Sequence, residues 1–276
     1  MGIDNTRIYP INTGWIESDH GTYVFWKGEA GKKIDIPVIC YYVDTDEHKI
    51  MVDTGLPNAE RATKYHHNCD KRGCDDSPDA LRNMGVDPDE IDICIFTHLH
   101  WDHTHNMKAF RNARYICTAE EIKWAYNPLP LYYRSYEASI LGIEAPFKSC
   151  QFELVDGETD IAPGVSVFPT PGHSPGHQSV QVETSCGNIV VAGDVIFVYE
   201  NMEPRLDENW RYWVPARLAS SIDGWRSIEE LDKRADFILP CHDPKVLENS
   251  VYPHEGMKLR KKREPVSNAP FYFSGI

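Results

Sequence analysis

One short segment decides what this chain can fold into and do: Thr97-His98-Leu99-His100-Trp101-Asp102-His103. It directly follows the apolar run 93–96, which is typical of a buried strand. His98 and His100 lie two residues apart on an extended backbone, so both side chains point to the same side and can bind one metal ion. Asp102 and His103 follow as the chain turns and can reach a second ion. The segment therefore predicts a metal site at the end of a buried strand.

Three later segments repeat the pattern of a polar side chain placed just after an apolar strand. Pro171-Gly172-His173 is a tight turn that holds an imidazole rigidly, and we predict His173 as the third ligand of the first ion. His177, in the same turn, is predicted to be structural. Asp194 ends the apolar strand 189–193, where a carboxylate can bridge two cations. His242 follows the apolar residues 237–240.

The composition excludes several classes of function. The chain has 276 residues and a formal net charge of −14, which disfavours nucleic acid and anionic membranes and leaves a small neutral molecule as the expected partner. No apolar run approaches a membrane span, and the N-terminus lacks a signal peptide. Eight scattered cysteines, several of them in apolar runs, fit reduced core thiols. We therefore expect a cytoplasmic protein.

The order of predicted elements suggests the architecture. Short strands, including one at 22–25, precede a helix that starts at Ser77, and Thr118 with Glu121 forms a predicted capping box for a second helix. Further strands and an amphipathic helix over 223–234 follow. Two strand-rich halves with helices predict an α+β fold, a four-layer αββα sandwich formed by a single domain over 1–276. Residues 57–76 and 127–149 lack clear periodicity, and we predict lid insertions there.

These motifs resemble those of the metallo-β-lactamase superfamily. The resemblance runs from Asp53-Thr54-Gly55 to His242 and implies the αββα sandwich with two divalent metal ions, most often Zn²⁺. It implies that one histidine triad holds the first ion, that a mixed triad holds the second, and that Asp194 bridges them. The implied triads are His98, His100, His173 and Asp102, His103, His242. Asp53 is implied to support the ligands from behind.

Within that superfamily the chain is most similar to the lactonases, the group of N-acyl-homoserine lactonases and pyridoxolactonase. Trp101 is an aromatic residue inside the histidine motif, as in that group, and 173–179 matches its later histidine turn. Phe197 stands where many acyl-homoserine lactonases have a substrate-contacting tyrosine, and Tyr199 lies two residues further on. Trp101, Phe197 and Tyr199 are therefore the predicted pocket residues. The resemblance also makes a homodimer an expectation.

The implied function is that of a dinuclear-metal hydrolase. A metal-bridging hydroxide would attack a lactone, or a related cyclic or acyl ester, and Asp102 would pass a proton to the leaving oxygen. The alternative is a thioesterase or an amide or cyclic-amide hydrolase with the same metals. A di-iron redox role is disfavoured because His100 stands where such relatives carry glutamate, and retention of every ligand position argues against an RNA-binding scaffold. Cys241 is not expected to be a nucleophile, because His242 beside it is committed to metal.

Overall fold

Two β-sheets lie face to face at the centre of the structure. The computed structural model describes residues 5–260, so residues 1–4 and 261–276 of the predicted domain lie outside the described part. The strands of the larger sheet are β1 (Arg7–Asp19), β2 (Lys33–Asp44), β3 (Lys49–Val52), β4 (Cys69–Asp70), β5 (Ile93–Ile95), β6 (Arg114–Thr118) and β7 (Phe152–Val155). Those of the smaller sheet are β8 (Thr159–Ala162), β9 (Val165–Pro169), β10 (Gln178–Thr184), β11 (Gly187–Gly193) and β12 (Phe237–Pro240).

The strand order is β4-β1-β2-β3-β5-β6-β7 in the larger sheet and β12-β11-β10-β9-β8 in the smaller. β3, β5, β6 and β7 pair in parallel, and so do β11 and β12, whereas the other neighbours are antiparallel. Because β10 is antiparallel to both β9 and β11, the strands β9, β11 and β12 all run the same way. Their carboxyl ends therefore meet at one edge of the smaller sheet.

Strand β2 shows why both faces of the larger sheet are buried. Ile39, Tyr41 and Val43 point to one side and pack in the core shared with the smaller sheet, while Cys40 and Tyr42 point to the other side and pack in a second core. Side chains alternate along a strand, so a continuously apolar strand needs a partner layer on each face. The helices supply the outer layers.

The helices are α1 (Ala59–Tyr65), α2 (Ser77–Asn83), α3 (Trp101–Thr104), α4 (Ala119–Tyr126) and α5 (Ser221–Arg234). Leu81 of α2 and Ala125 of α4 pack on the outer face of the larger sheet. Ile228 and Leu231 of α5 pack on the outer face of the smaller sheet. The predicted four-layer αββα sandwich is confirmed.

One local prediction near the N-terminus was wrong. The strand expected at 22–25 is replaced by a π-helical turn, His20–Val24, because the Asp19 carboxylate accepts hydrogen bonds from the backbone N–H groups of Gly21 and Thr22 and curls the chain. The segment 57–76, which lacks clear periodicity in the sequence, contains α1, capped by the Asn58 side chain, and the short strand β4.

The second predicted insertion, 127–149, consists of three short 3₁₀ turns, Pro130–Tyr132, Ser139–Leu141 and Pro146–Ser149. The capping box expected just before it is only half formed. The Thr118 hydroxyl accepts from the Glu121 N–H, as predicted, but the Glu121 carboxylate turns into the protein and binds other groups.

All eight cysteines are free thiols, and five of them are buried, as expected for core residues: Cys40, Cys69, Cys94, Cys117 and Cys241. Over residues 5–260, no helix combines the length and apolar character needed to cross a lipid bilayer.

Candidate metal centre

The backbone of the histidine motif changes conformation midway, and this change divides its candidate ligands into two pairs. His98 and His100 follow β5 on extended backbone, whereas Asp102 and His103 lie on the single helical turn α3. The Trp101 N–H, at the start of α3, donates to the Ser135 carbonyl and so ties the turn to the second insertion. The two halves of the motif therefore present their side chains in two different directions.

The remaining candidate ligands come from the edge where β9, β11 and β12 end together. His173 lies in the turn after β9, Asp194 directly follows β11, and His242 lies two residues beyond β12. Residues far apart in the sequence thus meet the histidine motif at the same place. All seven of the predicted ligand positions are buried.

Asp194 lies at the centre of this cluster, with one carboxylate oxygen toward each group of ligands. Its Oδ2 is 3.9 Å from His98 Nε2 and 3.4 Å from His173 Nε2. Its Oδ1 is 3.3 Å from His103 Nε2 and 3.1 Å from His242 Nε2. Asp102 completes the second group, with its oxygens 4.0 Å from the same nitrogens of His103 and His242.

The donor atoms fit two divalent cations. Three sets of side chains have ligand atoms close enough to share an ion around Asp194: His98 with His100 and His173, His98 with His103 and Asp194, and Asp102 with His103 and His242. His100 Nδ1 and His173 Nε2 lie only 2.9 Å apart. His98 Nε2, His103 Nε2 and Asp194 Oδ1 are buried without a hydrogen-bond partner. A buried polar atom without a hydrogen bond lowers the stability of the fold, so such atoms indicate that the site binds a ligand.

The opposite ring nitrogens of four histidines are each held by a partner. His173 Nδ1 donates to the Arg217 carbonyl and His242 Nδ1 to the Pro37 carbonyl. The Nδ1 atoms of the other two are held by the Thr97 hydroxyl and the Asp53 carboxylate; these two rings are His98 and His103. A hydrogen bond at Nδ1 orients each ring so that Nε2 is aimed at the centre, as a metal ligand requires.

Asp53, which the resemblance implies as a support for the ligands, contacts the histidine motif at Thr97 and His103. Its Oδ1 accepts from the Thr97 N–H at 2.9 Å, and its Oδ2 accepts from the Thr97 hydroxyl at 2.8 Å and from His103 Nδ1 at 2.8 Å. It adopts φ +59°, a left-handed conformation that aspartate tolerates better than most residues. His177 is structural, since its Nε2 accepts the Asp194 N–H and its Nδ1 contacts the Thr170 hydroxyl.

The pKa values separate the two triads. Burial lowers the pKa of His98 and His100 well below the ordinary value and that of His173 to about 4, so these rings are neutral. Burial opposes protonation of His103 as well, but nearby carboxylates, Asp194 foremost, hold its pKa well above the ordinary value. The pKa of His242 is raised for the same reason. Metal binding requires deprotonated ligands, so a cation would replace these protons.

Cys241 is excluded as a nucleophile. Its thiol is fully buried, and burial raises its pKa well above the ordinary value for cysteine. A thiol in this environment stays protonated and is a poor nucleophile.

A cavity of about 380 Å³ opens onto the metal centre. Its floor contains His100, Asp102 and Asp194, and its walls include Trp101 and Phe197, two of the three predicted pocket residues. Tyr199 was expected in this pocket but is not among its lining residues. Its ring packs in the core against Phe237, and its N–H donates to Asp243, so it cannot replace the tyrosine absent at position 197.

Sequence reasoning missed several functional neighbours of the metal centre. His66 and His67 from the first insertion, Ser135 from the second, and Arg217 from the loop before α5 all line the cavity. Glu121 lies just behind the ligand loops. Glu121 shares the inward face of α4 with Ala125, and a glutamate at such a position is a signal that the sequence offered. The others come from segments without clear periodicity.

The family is established by comparison with known proteins. The family model described as the metallo-beta-lactamase superfamily matches residues 35–242. The chain belongs to this superfamily. It is 31% identical over 212 residues to an N-acyl homoserine lactonase of Bacillus thuringiensis, covering 71% of this chain and 78% of the relative. The N-acyl homoserine lactonase AttM of Rhizobium radiobacter is 28% identical over 265 residues, covering 86% of this chain and 93% of the relative.

Solved structures place this superfamily member in the same group. An N-acyl homoserine lactone hydrolase with N-hexanoyl-L-homoserine at its catalytic metal centre superposes with a TM-score of 0.73 at 27% identity, covering 90% of this chain and 96% of that one. A quorum-quenching N-acyl homoserine lactone lactonase gives a TM-score of 0.71 at 28% identity, covering 89% and 95%. The predicted class, a metal-dependent hydrolase of the lactonase group, is confirmed.

Proposed function

We propose that the protein hydrolyses the ring ester of small lactones, with N-acyl homoserine lactones as the reference substrates, at a dinuclear zinc centre. One observation carries the proposal: buried, unpartnered imidazole and carboxylate atoms converge around Asp194 at the floor of a cavity large enough for a small molecule. The relatives above act on this class of compound, and the seven ligand positions are all present in this chain.

The ligand assignment follows from the two oxygens of Asp194. Its Oδ2 faces His98 and His173, which with His100 would hold one ion, and its Oδ1 faces His103 and His242, which with Asp102 would hold the other. A carboxylate placed between two triads in this way would bridge the two ions. Five imidazoles favour zinc over the hard cations Mg²⁺ and Ca²⁺, which prefer all-oxygen sites.

Two zinc ions held there would lower the pKa of a shared water toward about 7 and polarise the ring carbonyl. Asp102 is the more accessible of the two carboxylates in the cavity, since its side chain is 11% exposed and that of Asp194 only 4%. We assign to Asp102 the transfer of a proton to the departing ring oxygen. Ring opening without this proton would leave an alkoxide, a poor leaving group.

Trp101 and Phe197 give the cavity apolar walls on either side of the metal ligands. Trp101 is buried, and its ring stacks on the ring of His66 from the first insertion. The centroid of the Phe197 ring lies 5.6 Å from that of His173 and 5.2 Å from that of His242. Phe197 has no hydroxyl to donate to a substrate carbonyl. Position 197 therefore cannot assist the metal ions in polarising that carbonyl.

Metal analysis and substrate turnover together test the proposal. Purified protein should contain about two zinc ions per chain, and the zinc-loaded protein should open N-hexanoyl homoserine lactone, with one acid equivalent released for each ring. A hexanoyl thioester and a cyclic amide of similar size serve as comparison substrates. His98→Ala and Asp194→Asn should lose metal and activity, whereas His48→Ala, which alters a surface pair with Asp92, should retain both. Zinc-loaded protein without lactone turnover, or full activity in Asp194→Asn, would contradict the proposal.

A further inference from the structure

One wall of the cavity carries a guanidinium group that the metal site does not use. Arg217 is half-buried and lines the cavity, its Nη2 donates to the Ser135 hydroxyl at 3.2 Å, and its Cζ lies 5.0 Å from the centre of the Tyr132 ring. Ser135 lines the cavity as well. The group is thus held in place by a hydroxyl and an aromatic face, both neutral.

Within residues 5–260, no carboxylate forms an ion pair with Arg217 or with Arg134, the second arginine of the cavity wall. Other half-buried arginines of this chain behave differently. Arg61 pairs with Glu137, Arg211 with Asp232, and Arg234 with Glu158 and Glu230. Because the chain is strongly acidic, an arginine left without a carboxylate beside a cavity indicates a position available to a ligand.

Two acidic residues, Asp102 and Asp194, are the carboxylates found among the described lining residues, and both are assigned to the metal ions. Two divalent cations would more than balance their charge. The remaining charged groups of the wall are Arg217 and Arg134, so the cavity with both ions bound would be cationic within a chain of formal charge −14. The surface outside would repel an anion, but a low-dielectric cleft lined by one sign of charge attracts it locally.

The backbone of Arg217 couples this position to the metal centre. Its carbonyl accepts from His173 Nδ1 at 3.0 Å, and its N–H donates to the Tyr23 carbonyl at 3.1 Å. A substrate group held by Arg217 would therefore be at a set distance from the reacting ester.

We propose that Arg217, with Ser135, binds a carboxylate carried by the substrate in addition to its lactone ring, so that the preferred substrate is an anionic lactone. This inference rests on the proposed lactone hydrolysis and names its substrate class. It replaces the small neutral molecule expected from the net charge of the whole chain. A planar guanidinium matches a carboxylate with two parallel hydrogen bonds, and a hydroxyl beside it can donate a third.

The test compares matched pairs of homoserine lactones that differ by one carboxylate. Succinyl, glutaryl and adipoyl homoserine lactones are set against the butanoyl, pentanoyl and hexanoyl compounds, and kcat/KM is measured with zinc-loaded protein at low and high ionic strength. For the acyl chain length that reaches Arg217, kcat/KM for the carboxylated lactone should be at least about tenfold higher. A hydrogen bond to a charged group stabilises a complex by about that factor. The preference should weaken with salt.

Arg217→Gln should bring the ratio of the two kcat/KM values close to one, and Arg217→Lys should leave an intermediate ratio. Arg111→Gln, which removes an exposed arginine paired with Asp89, is the matched control and should leave the ratio unchanged. Zinc content is measured for each variant, because the Arg217 carbonyl holds His173. A wild-type ratio near one across the series, or an unchanged ratio in Arg217→Gln, would overturn the inference while lactone hydrolysis stands. If neither series is opened, the proposed function fails and the inference fails with it.

Discussion

The imidazole of His66 lies flat against the indole of Trp101, with ring centroids 4.1 Å apart and an angle of 5° between the planes. Trp101 belongs to the metal-ligand motif, and His66 ends the helix of the first insertion. Behind His66, the buried Glu137 carboxylate of the second insertion accepts hydrogen bonds from His66 Nε2 at 3.1 Å and from Arg61 at 3.0 and 2.7 Å. One carboxylate thus joins both insertions above the metal centre.

We predict that Glu137→Gln loosens this connection without removing metal. The amide puts an N–H₂ donor among the donors of Arg61 and His66, and breaking a buried ion pair costs about 3 kcal/mol, roughly a hundredfold in local opening. Amides of 59–66 should exchange hydrogen faster, and KM for lactones should rise. Glu144→Gln, in the same insertion and exposed, is the control. Unchanged exchange in Glu137→Gln would show that the insertions are held by other contacts.

Asp53→Asn is predicted to weaken metal binding about 10- to 100-fold, although Asp53 is not assigned as a ligand. Asparagine tolerates φ +59°, so the backbone is not strained. An amide N–H₂ in place of Oδ2 would donate to His103 Nδ1 and shift the ring proton to Nε2, the atom that faces Asp194. Zinc affinity measured by competition with a chelator checks this. Asp92→Asn, at the surface pair with His48, should leave the affinity as in wild type.

Gly193→Ala should damage the metal centre far more than Gly142→Ala. Both glycines are left-handed, at φ +61° and +72°, so alanine adds about 1 kcal/mol of backbone strain at either position. At position 193 the new Cβ would also lie 2.5 Å from His177 Nε2, whereas nothing lies within 4 Å at position 142. Displacing His177 removes the acceptor of the Asp194 N–H and adds about 1–3 kcal/mol of overpacking. Similar unfolding free energies and zinc contents in the two variants would refute this.

Glu121 gives a prediction for pH dependence. Its buried carboxylate accepts from the Leu99 N–H, the Tyr136 hydroxyl and the Ser174 hydroxyl, yet burial keeps its pKa above the ordinary value. A raised pKa means that the folded state holds the proton more tightly. The stability contributed by this proton is therefore present below the unfolded-state pKa, about 4.3, and is lost as the pH rises through the folded-state pKa.

Glu121→Gln removes this titration, and Ser174 can accept from the new amide. The stability of the variant relative to wild type should therefore increase as the pH is raised above about 4.3, then level off. Urea unfolding across that range, at constant zinc, measures the difference. Glu120→Gln, on the exposed face of the same helix, is the control. A difference between Glu121→Gln and wild type that does not vary with pH would contradict the assignment.

Much of the fold was predictable because the strands are apolar on both faces and the turns contain glycine and proline. The strand before His98, the strand ending at Gly193 and the helix α5 all formed as expected. The turn at His20–Val24 was not predicted, because its cause is one Asp19 side chain that binds the backbone. Helix α1 was missed because it is short and stabilised by contacts across the chain, such as Arg61 with Glu137.

The sequence by itself indicated the family, through the resemblance of its motifs, and the seven candidate ligand positions, because each of these residues follows an apolar strand closely. It could not determine the charge of the cavity. Arg217, Ser135 and His66 come from three irregular segments, and only packing on the sandwich brings them to one wall. Net charge is a sum over the whole surface, whereas a ligand responds to the few groups within a screening length of it. The tertiary structure therefore decided that this acidic chain places two arginines without a carboxylate partner, Arg134 and Arg217, beside its candidate metal centre.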